Sequence, residues 1–310
     1  MKRPLLAIGV AVAAALAGCG SEDAGSSGSG ALPVAASFYP LQWATQQIGG
    51  DLVDVTSLTP PGAEPHDLEL TPKQVAGLGD ADLVVYAKGF QPAVDEAVAQ
   101  VAPDAGFDVA PVADLTIAAT GEVHDHAGDE HADEDPATMD PHFWLDPVRF
   151  ADVARAIGDR LAATDPAHAA EYAAGTERLT GELAALDEEY ATGLADCAQT
   201  TLVTSHTAFA YLAQRYGLEQ VGIAGVNPDV EPDAAALKRI SDLVEEEGVT
   251  TIYTETLASP ALAETVARET GATTAVLDPL GGLTDTSAGS DYLEVMRSNL
   301  ATLEEGQQCR

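Results

Sequence analysis

From residue 32 onward, short runs rich in β-branched residues alternate with stretches whose apolar positions recur every three or four residues. Runs at 33–38, 53–58, 82–86, 200–204, 250–254 and 273–277 have the length and composition of strands. Stretches at 41–48, 71–78, 92–101, 208–216, 234–247 and 260–270 read as helices, and another is expected from 147 to about 162. Such alternation is the signature of βα units with parallel strands. It is interrupted at 166–195 by a segment rich in Ala, Glu, Leu and Arg in which Leu179, Leu183, Leu186 and Tyr190 recur at helical spacing. A helix of about 30 residues is ~45 Å long, more than one small domain is wide. It is expected to run along both halves as a stiff link. The expected fold is therefore α/β, with two lobes of mainly parallel sheet flanked by helices at 32–164 and 197–310 and a linking helix at 165–196.

The N-terminus has a different pattern. Lys2 and Arg3 precede a nearly continuous apolar run from Pro4 to Ala17, and Leu16-Ala17-Gly18-Cys19 closes it. The run is too short to cross a bilayer comfortably, so 1–18 reads as a secretory signal peptide and Cys19 as the lipid-bearing residue of a lipobox, an uncleaved anchor being the other reading. Residues 19–31, dominated by Gly and Ser, read as a flexible tether. No later stretch has 18 uninterrupted apolar residues, so the body of the chain is expected to be soluble and extracytoplasmic.

Charge and cysteines narrow the classes further. With 50 acidic and 14 basic residues the formal net charge is −36, which argues against nucleic acid as a partner and is compatible with attracting cations. Cys19, Cys197 and Cys309 are the only cysteines. If Cys19 carries lipid, an oxidising compartment leaves Cys197 and Cys309 to pair as a disulfide. The stretch 122–135 has no apolar period and holds His124, His126 and His131 among seven acidic residues. It reads as an exposed loop, either a secondary metal-capture segment or a solvated acidic insertion.

The remaining chemistry concentrates in three histidines. His66 follows the strand at 53–58 through a rigid run, Thr59-Pro-Pro-Gly-Ala-Glu-Pro65, and His206 falls just past the strand at 200–204. His142 stands in a proline-flanked segment where order resumes after the acidic loop. Asp278 falls just past the strand at 273–277. In open α/β sheets ligands bind at the carboxyl ends of strands, so these positions suggest a cleft between two lobes. Three imidazoles and a carboxylate complete a tetrahedral shell suited to zinc. Phe143, Trp144 and Tyr211 neighbour the candidate ligands and read as packing residues. Glu255, just past another strand, is a candidate acceptor for a histidine N–H and is left outside the ligand set. There is no phosphate-binding Gly-rich loop, no Gly-x-Ser-x-Gly elbow and no His-Glu-x-x-His helix. The rival from another class, a secreted zinc hydrolase, would need a general base beside the metal, and Glu64 is the one residue that could be pressed into that role.

Four segments, EPHDLELTP at 64–72, DPHFWLDP at 140–147, TSHTAFAYL at 204–212 and LDPLG at 277–281, together resemble the zinc- and manganese-binding lipoproteins of ABC importers, the ZnuA/TroA-like class. GVNPDVEP at 225–232 is similar to a further signature loop of that class. The resemblance implies two α/β lobes joined by one long rigid helix with the metal between them. It implies a monomeric, non-enzymatic receptor that passes the ion to a membrane permease, and an adhesion role on the same fold stays open. By motif match His66, His142 and His206 are nitrogen ligands and Asp278 supplies a carboxylate, with Glu64 or water as alternatives in the fourth place. Manganese-binding members of the class carry glutamate where this chain has His206. An imidazole there moves preference toward zinc, with Mn²⁺ the alternative cargo.

Overall fold

The computed structural model describes residues 30–119 and 139–310. The stretch expected to be a signal peptide, Cys19, most of the expected tether and the loop histidines His124, His126 and His131 lie outside the described residues. Residues 31–310 form a single unit built on two sheets.

The first sheet contains β1 (Leu32–Ala36), β2 (Val53–Ser57), β3 (Leu83–Tyr86) and β4 (Gly106–Asp108), all parallel, in the order β2-β1-β3-β4. Helices α1 (Tyr39–Gly49), α2 (Pro72–Asp80), α3 (Pro92–Val101) and the short α4 (Ala110–Ala113) lie between and after these strands. A 3-10 turn at Phe143–Leu145 then leads into α5 (Pro147–Thr164), which Asp146 caps by accepting the Val148 N–H at 2.9 Å. A further 3-10 turn, Pro166–His168, precedes the long α6 (Ala169–Gly193). The second sheet repeats the first with β5 (Thr201–Thr204), β6 (Glu219–Gly222), β7 (Thr251–Thr254) and β8 (Thr273–Val276) in the parallel order β6-β5-β7-β8. Its helices are α7 (Ala210–Tyr216), α8 (Ala234–Glu247), α9 (Ala261–Thr270) and α10 (Tyr292–Gly306).

Each sheet is covered on both faces, and alternate residues of one strand enter different cores. Ala35 and Val84 pack outward against Leu78, Val94 and Val98 of α2 and α3. Val203 and Ile252 pack outward against Ile240, Val244 and Val266 of α8 and α9. Val34, Leu83, Leu202 and Tyr253 point the other way into one large cluster shared by both halves. There Trp43 of α1 stacks on Tyr292 of α10 with ring centroids 4.8 Å apart, and Phe150 of α5 meets Tyr292 at 4.9 Å. The halves therefore share a hydrophobic core.

Helix α6 is the spine of that arrangement. Its 25 residues correspond to about 37 Å, and Tyr172, Gly175, Leu179, Leu183, Leu186 and Tyr190 form its buried stripe. The helix is shorter at both ends than the 165–196 expected: Pro166–His168 is wound as a 3-10 turn in which the Asp165 carboxylate accepts from His168 Nδ1 and the Tyr172 hydroxyl. Toward its start Gly175 lies directly under the Ile48 carbonyl of α1, and at its end Gly193 packs on Leu300 and Glu304 of α10. Cys197, just beyond it, is disulfide-bonded to Cys309 at the far end of the second half, 112 residues away.

The hydropathy alternation does not disclose β4 and β6, which are three- and four-residue edge strands. Helix α10 does carry helical spacing, with buried Tyr292, Val295, Met296, Asn299, Leu300 and Leu303 and an Asp291 cap. The Gly-, Thr- and Ser-rich run before it masks that signal.

Candidate metal centre

The three histidines singled out in the sequence converge. His66 Nε2 lies 3.2 Å from His142 Nε2, and His206 Nε2 lies 3.5 Å from the same atom. The ligand atoms of all three fall within 4.8 Å of one another, which makes them a metal-competent group among the described residues. Zinc–nitrogen bonds of 2.0–2.1 Å at tetrahedral angles place nitrogens about 3.3–3.4 Å apart, so the two measured separations bracket the edge of such a polyhedron.

Each histidine is delivered by a different segment of the chain. His66 ends the proline-rich loop after β2, which turns at Gly62 with φ 76°, a conformation that glycine adopts without steric cost. Buried Gln91 pins this loop, donating to Thr59 Oγ1 at 3.0 Å and to the Pro65 carbonyl at 2.9 Å. The Glu64 carboxylate accepts the His66 backbone N–H at 3.0 Å, and the His66 ring meets Phe90 edge-on at 4.7 Å. His142 is gripped by Asp140, whose Oδ1 accepts both its backbone N–H at 2.9 Å and its Nδ1–H at 2.8 Å. His206 is gripped in the same manner by Glu255, which accepts its backbone N–H at 3.0 Å and its Nδ1–H at 2.7 Å. His206 follows β5 and Glu255 follows β7, neighbouring strands whose connections diverge to opposite sides, so the pair sits at the switch point of the second sheet.

The carboxylates decide the tautomers. With Nδ1–H engaged by Asp140 and Glu255, His142 and His206 turn the Nε2 lone pair toward the common centre, the form a cation requires. Burial, and then the charges of His142 and His206, push His66 down to about 2. Burial and the charge of His206 hold His142 well below its ordinary value. Burial also opposes the charged form of His206, but the charge and hydrogen bond of Glu255, with Glu64 and Asp140 behind them, outweigh it and raise this histidine. Burial lifts Asp140 to about 7 against the hydrogen bonding from His142 and the charge of His206, and burial raises Glu64 as well.

Asp278 lies outside the three-histidine group. It is buried on the loop after β8, where Oδ1 accepts the Leu280 N–H at 2.8 Å and Oδ2 accepts from Ser287 Oγ at 3.1 Å. Burial raises it too. Asp140 was not singled out by spacing, although an acid two residues before histidine with proline between occurs twice, at 64–66 and 140–142. Glu255, weighed as an acceptor and left outside the ligand set, proves to hold His206 by its backbone N–H and its Nδ1.

Two sheets of one strand order about a shared core, with three imidazoles at a common centre, define the solute-binding class in which a small ligand sits between α/β lobes. The model of the family described as the zinc-uptake complex component A, periplasmic (ZnuA), matches residues 34–306, and the chain belongs to that family. It is 38% identical over 283 residues to the zinc-binding lipoprotein AdcA of Streptococcus pneumoniae serotype 4, a match covering 89% of this chain and 56% of AdcA. The chain thus spans little more than half the length of that relative. It is 36% identical over 285 residues to the high-affinity zinc uptake system protein ZnuA of Bacillus subtilis strain 168, covering 88% of this chain and 87% of the relative. The crystal structure of the Zn(II)-bound ZnuA-like domain of Streptococcus pneumoniae AdcA superposes with a TM-score of 0.72 at 35% identity, over 90% of this chain and 99% of that one.

Proposed function

We propose that this chain is a zinc receptor that captures the ion outside the cytoplasm, held to the membrane by lipid on Cys19, and delivers it as a monomer to the permease of an ABC importer. The observation that carries the reading is the set of three Nε2 atoms spaced 3.2 and 3.5 Å apart, two of them oriented by buried carboxylates. Three borderline-soft nitrogens favour zinc over manganese, which prefers oxygen. The names of the relatives, zinc-binding lipoprotein and zinc uptake protein, support the same reading. Among the described residues no helix is long and apolar enough to cross a membrane. The role is binding and transfer without turnover.

The ligands are His66, His142 and His206. Asp278 takes the fourth place by exchanging its Ser287 hydrogen bond for the ion, with Glu64 or water as the alternatives that Asp278→Asn and Glu64→Gln separate. The loop histidines His124, His126 and His131 hold further zinc weakly. Metal analysis of the purified mature chain, combined with chelator competition, tests the reading: one tightly held zinc per chain is expected. A chain that keeps no zinc through dialysis, or prefers manganese, overturns it.

A further inference from the structure

Tyr211 lies on α7, five residues beyond His206, and is 1% exposed. Its hydroxyl donates to the Asp140 carbonyl at 3.0 Å and accepts the Ile117 N–H at 3.4 Å, while the Arg149 guanidinium covers its ring at 4.7 Å. Asp140 belongs to the first half of the chain and Tyr211 to the second, so this bond crosses between the halves directly behind the histidines. It also closes a circuit. From His206 the backbone runs to Tyr211, the hydroxyl reaches the Asp140 carbonyl, the Asp140 carboxylate holds the backbone N–H and Nδ1 of His142, and His142 Nε2 returns to His206 Nε2 at 3.5 Å.

Two further second-half groups hold the same segment. The Trp144 indole donates to the Pro279 carbonyl at 2.8 Å, and the Tyr292 hydroxyl donates to the Trp144 carbonyl. His142 is therefore fastened to the half that carries His206, although it precedes α6 in sequence. A ligand pair fastened in this way keeps its spacing before the ion arrives, which tight metal sites require.

We infer that Tyr211 is a positioning residue for the metal site, its hydroxyl fixing Asp140, and through Asp140 the His142 ring, at tetrahedral spacing from His206. The inference rests on the zinc reading above. It assigns Tyr211 a role in affinity and in preference for four-coordinate ions, since loosening the spacing opens the site to higher coordination numbers.

Tyr211→Phe in the full mature chain removes one hydroxyl and no ring volume. Tyr190→Phe is the matched control, because its hydroxyl donates to the Met296 carbonyl at 2.6 Å in the same core without touching Asp140. The probes are Zn²⁺ in chelator competition and Co²⁺ alone, whose visible absorption reports coordination geometry. Tyr211→Phe is expected to weaken zinc binding about 10-fold or more, the range for groups behind metal ligands, and to reduce the tetrahedral Co²⁺ bands. Tyr190→Phe should leave both as in the parent. Parent-like affinity and Co²⁺ spectrum in Tyr211→Phe overturn the inference, as does an equal loss in both variants. A parent chain that binds no zinc instead removes the functional reading beneath it. If Tyr211→Phe does not fold, Tyr211→Met, which also removes the hydroxyl while filling the site with a flexible apolar side chain, is read against the same two outcomes.

Discussion

His206 is the histidine of the three whose proton an incoming cation must displace. His66, pushed down to about 2, and His142, well below its ordinary value, are neutral before the ion arrives, whereas Glu255 raises His206. The ion needs a bare Nε2, so below the His206 pKa zinc competes with a proton, and affinity falls about tenfold per pH unit for each proton displaced. Asp140, raised to about 7 by burial, gives up a second proton when a cation binds beside its histidine. Proton release per zinc is therefore expected to grow as the pH falls. Calorimetry in buffers of different ionisation enthalpy checks this, and pH-independent affinity between 6 and 8 contradicts it. His206→Ala removes a ligand and also leaves the buried Glu255 carboxylate without its ring donor. We expect a loss of affinity of at least about 100-fold and a stability cost of about 1–3 kcal/mol, read by chelator competition and by urea unfolding. The three converging histidines stood out in the sequence because each lies at a strand end or beside prolines. The groups that orient them stood out less. Glu255 reaches His206 over 49 residues of chain, and that contact becomes visible only when β5 and β7 are known to be neighbours.

At the scale of elements, what could be read in advance was whatever carries a strong period. The buried central strands and amphipathic helices announce themselves through burial, while β4 and β6 are held at sheet edges by backbone pairing that leaves no hydropathy pattern. Close approach is similarly silent. A glycine inside a helix ordinarily costs about 1 kcal/mol relative to alanine, so both Gly175 and Gly181 of α6 look like sites for improvement. Their surroundings separate them. A Cβ at Gly181 meets nothing within 4 Å, whereas a Cβ at Gly175 would sit 2.1 Å from the Ile48 carbonyl oxygen. Forcing that contact costs about 1–3 kcal/mol, which exceeds the propensity gain. Gly181→Ala should raise the urea midpoint by the equivalent of about 0.5–1 kcal/mol, and Gly175→Ala should lower it by about 1–2 kcal/mol. Equal shifts in the two variants would mean that α6 does not bear on α1 as described.

For the whole molecule the governing quantity is charge, and it acts in two directions. A formal −36 repels itself in the folded state and attracts a divalent cation from a distance, and salt weakens both effects because the Debye length shrinks from about 30 Å at 0.01 M to about 3 Å at 1 M. Stability should therefore rise with sodium chloride while the association rate for zinc falls. Dissociation is different, because on the proposed ligand set it is governed by bonds to His66, His142 and His206, of which the last two are buried and the first partly so. Salt should leave the dissociation rate nearly unchanged, so the loss of affinity resides in the association rate. Stopped-flow association and chelator-driven dissociation at low and high ionic strength resolve these contributions, and thermal unfolding of the metal-free chain in the same buffers tests the stability arm. An association rate indifferent to salt would show that the acidic surface serves solubility alone, with capture left entirely to the three imidazoles at the centre.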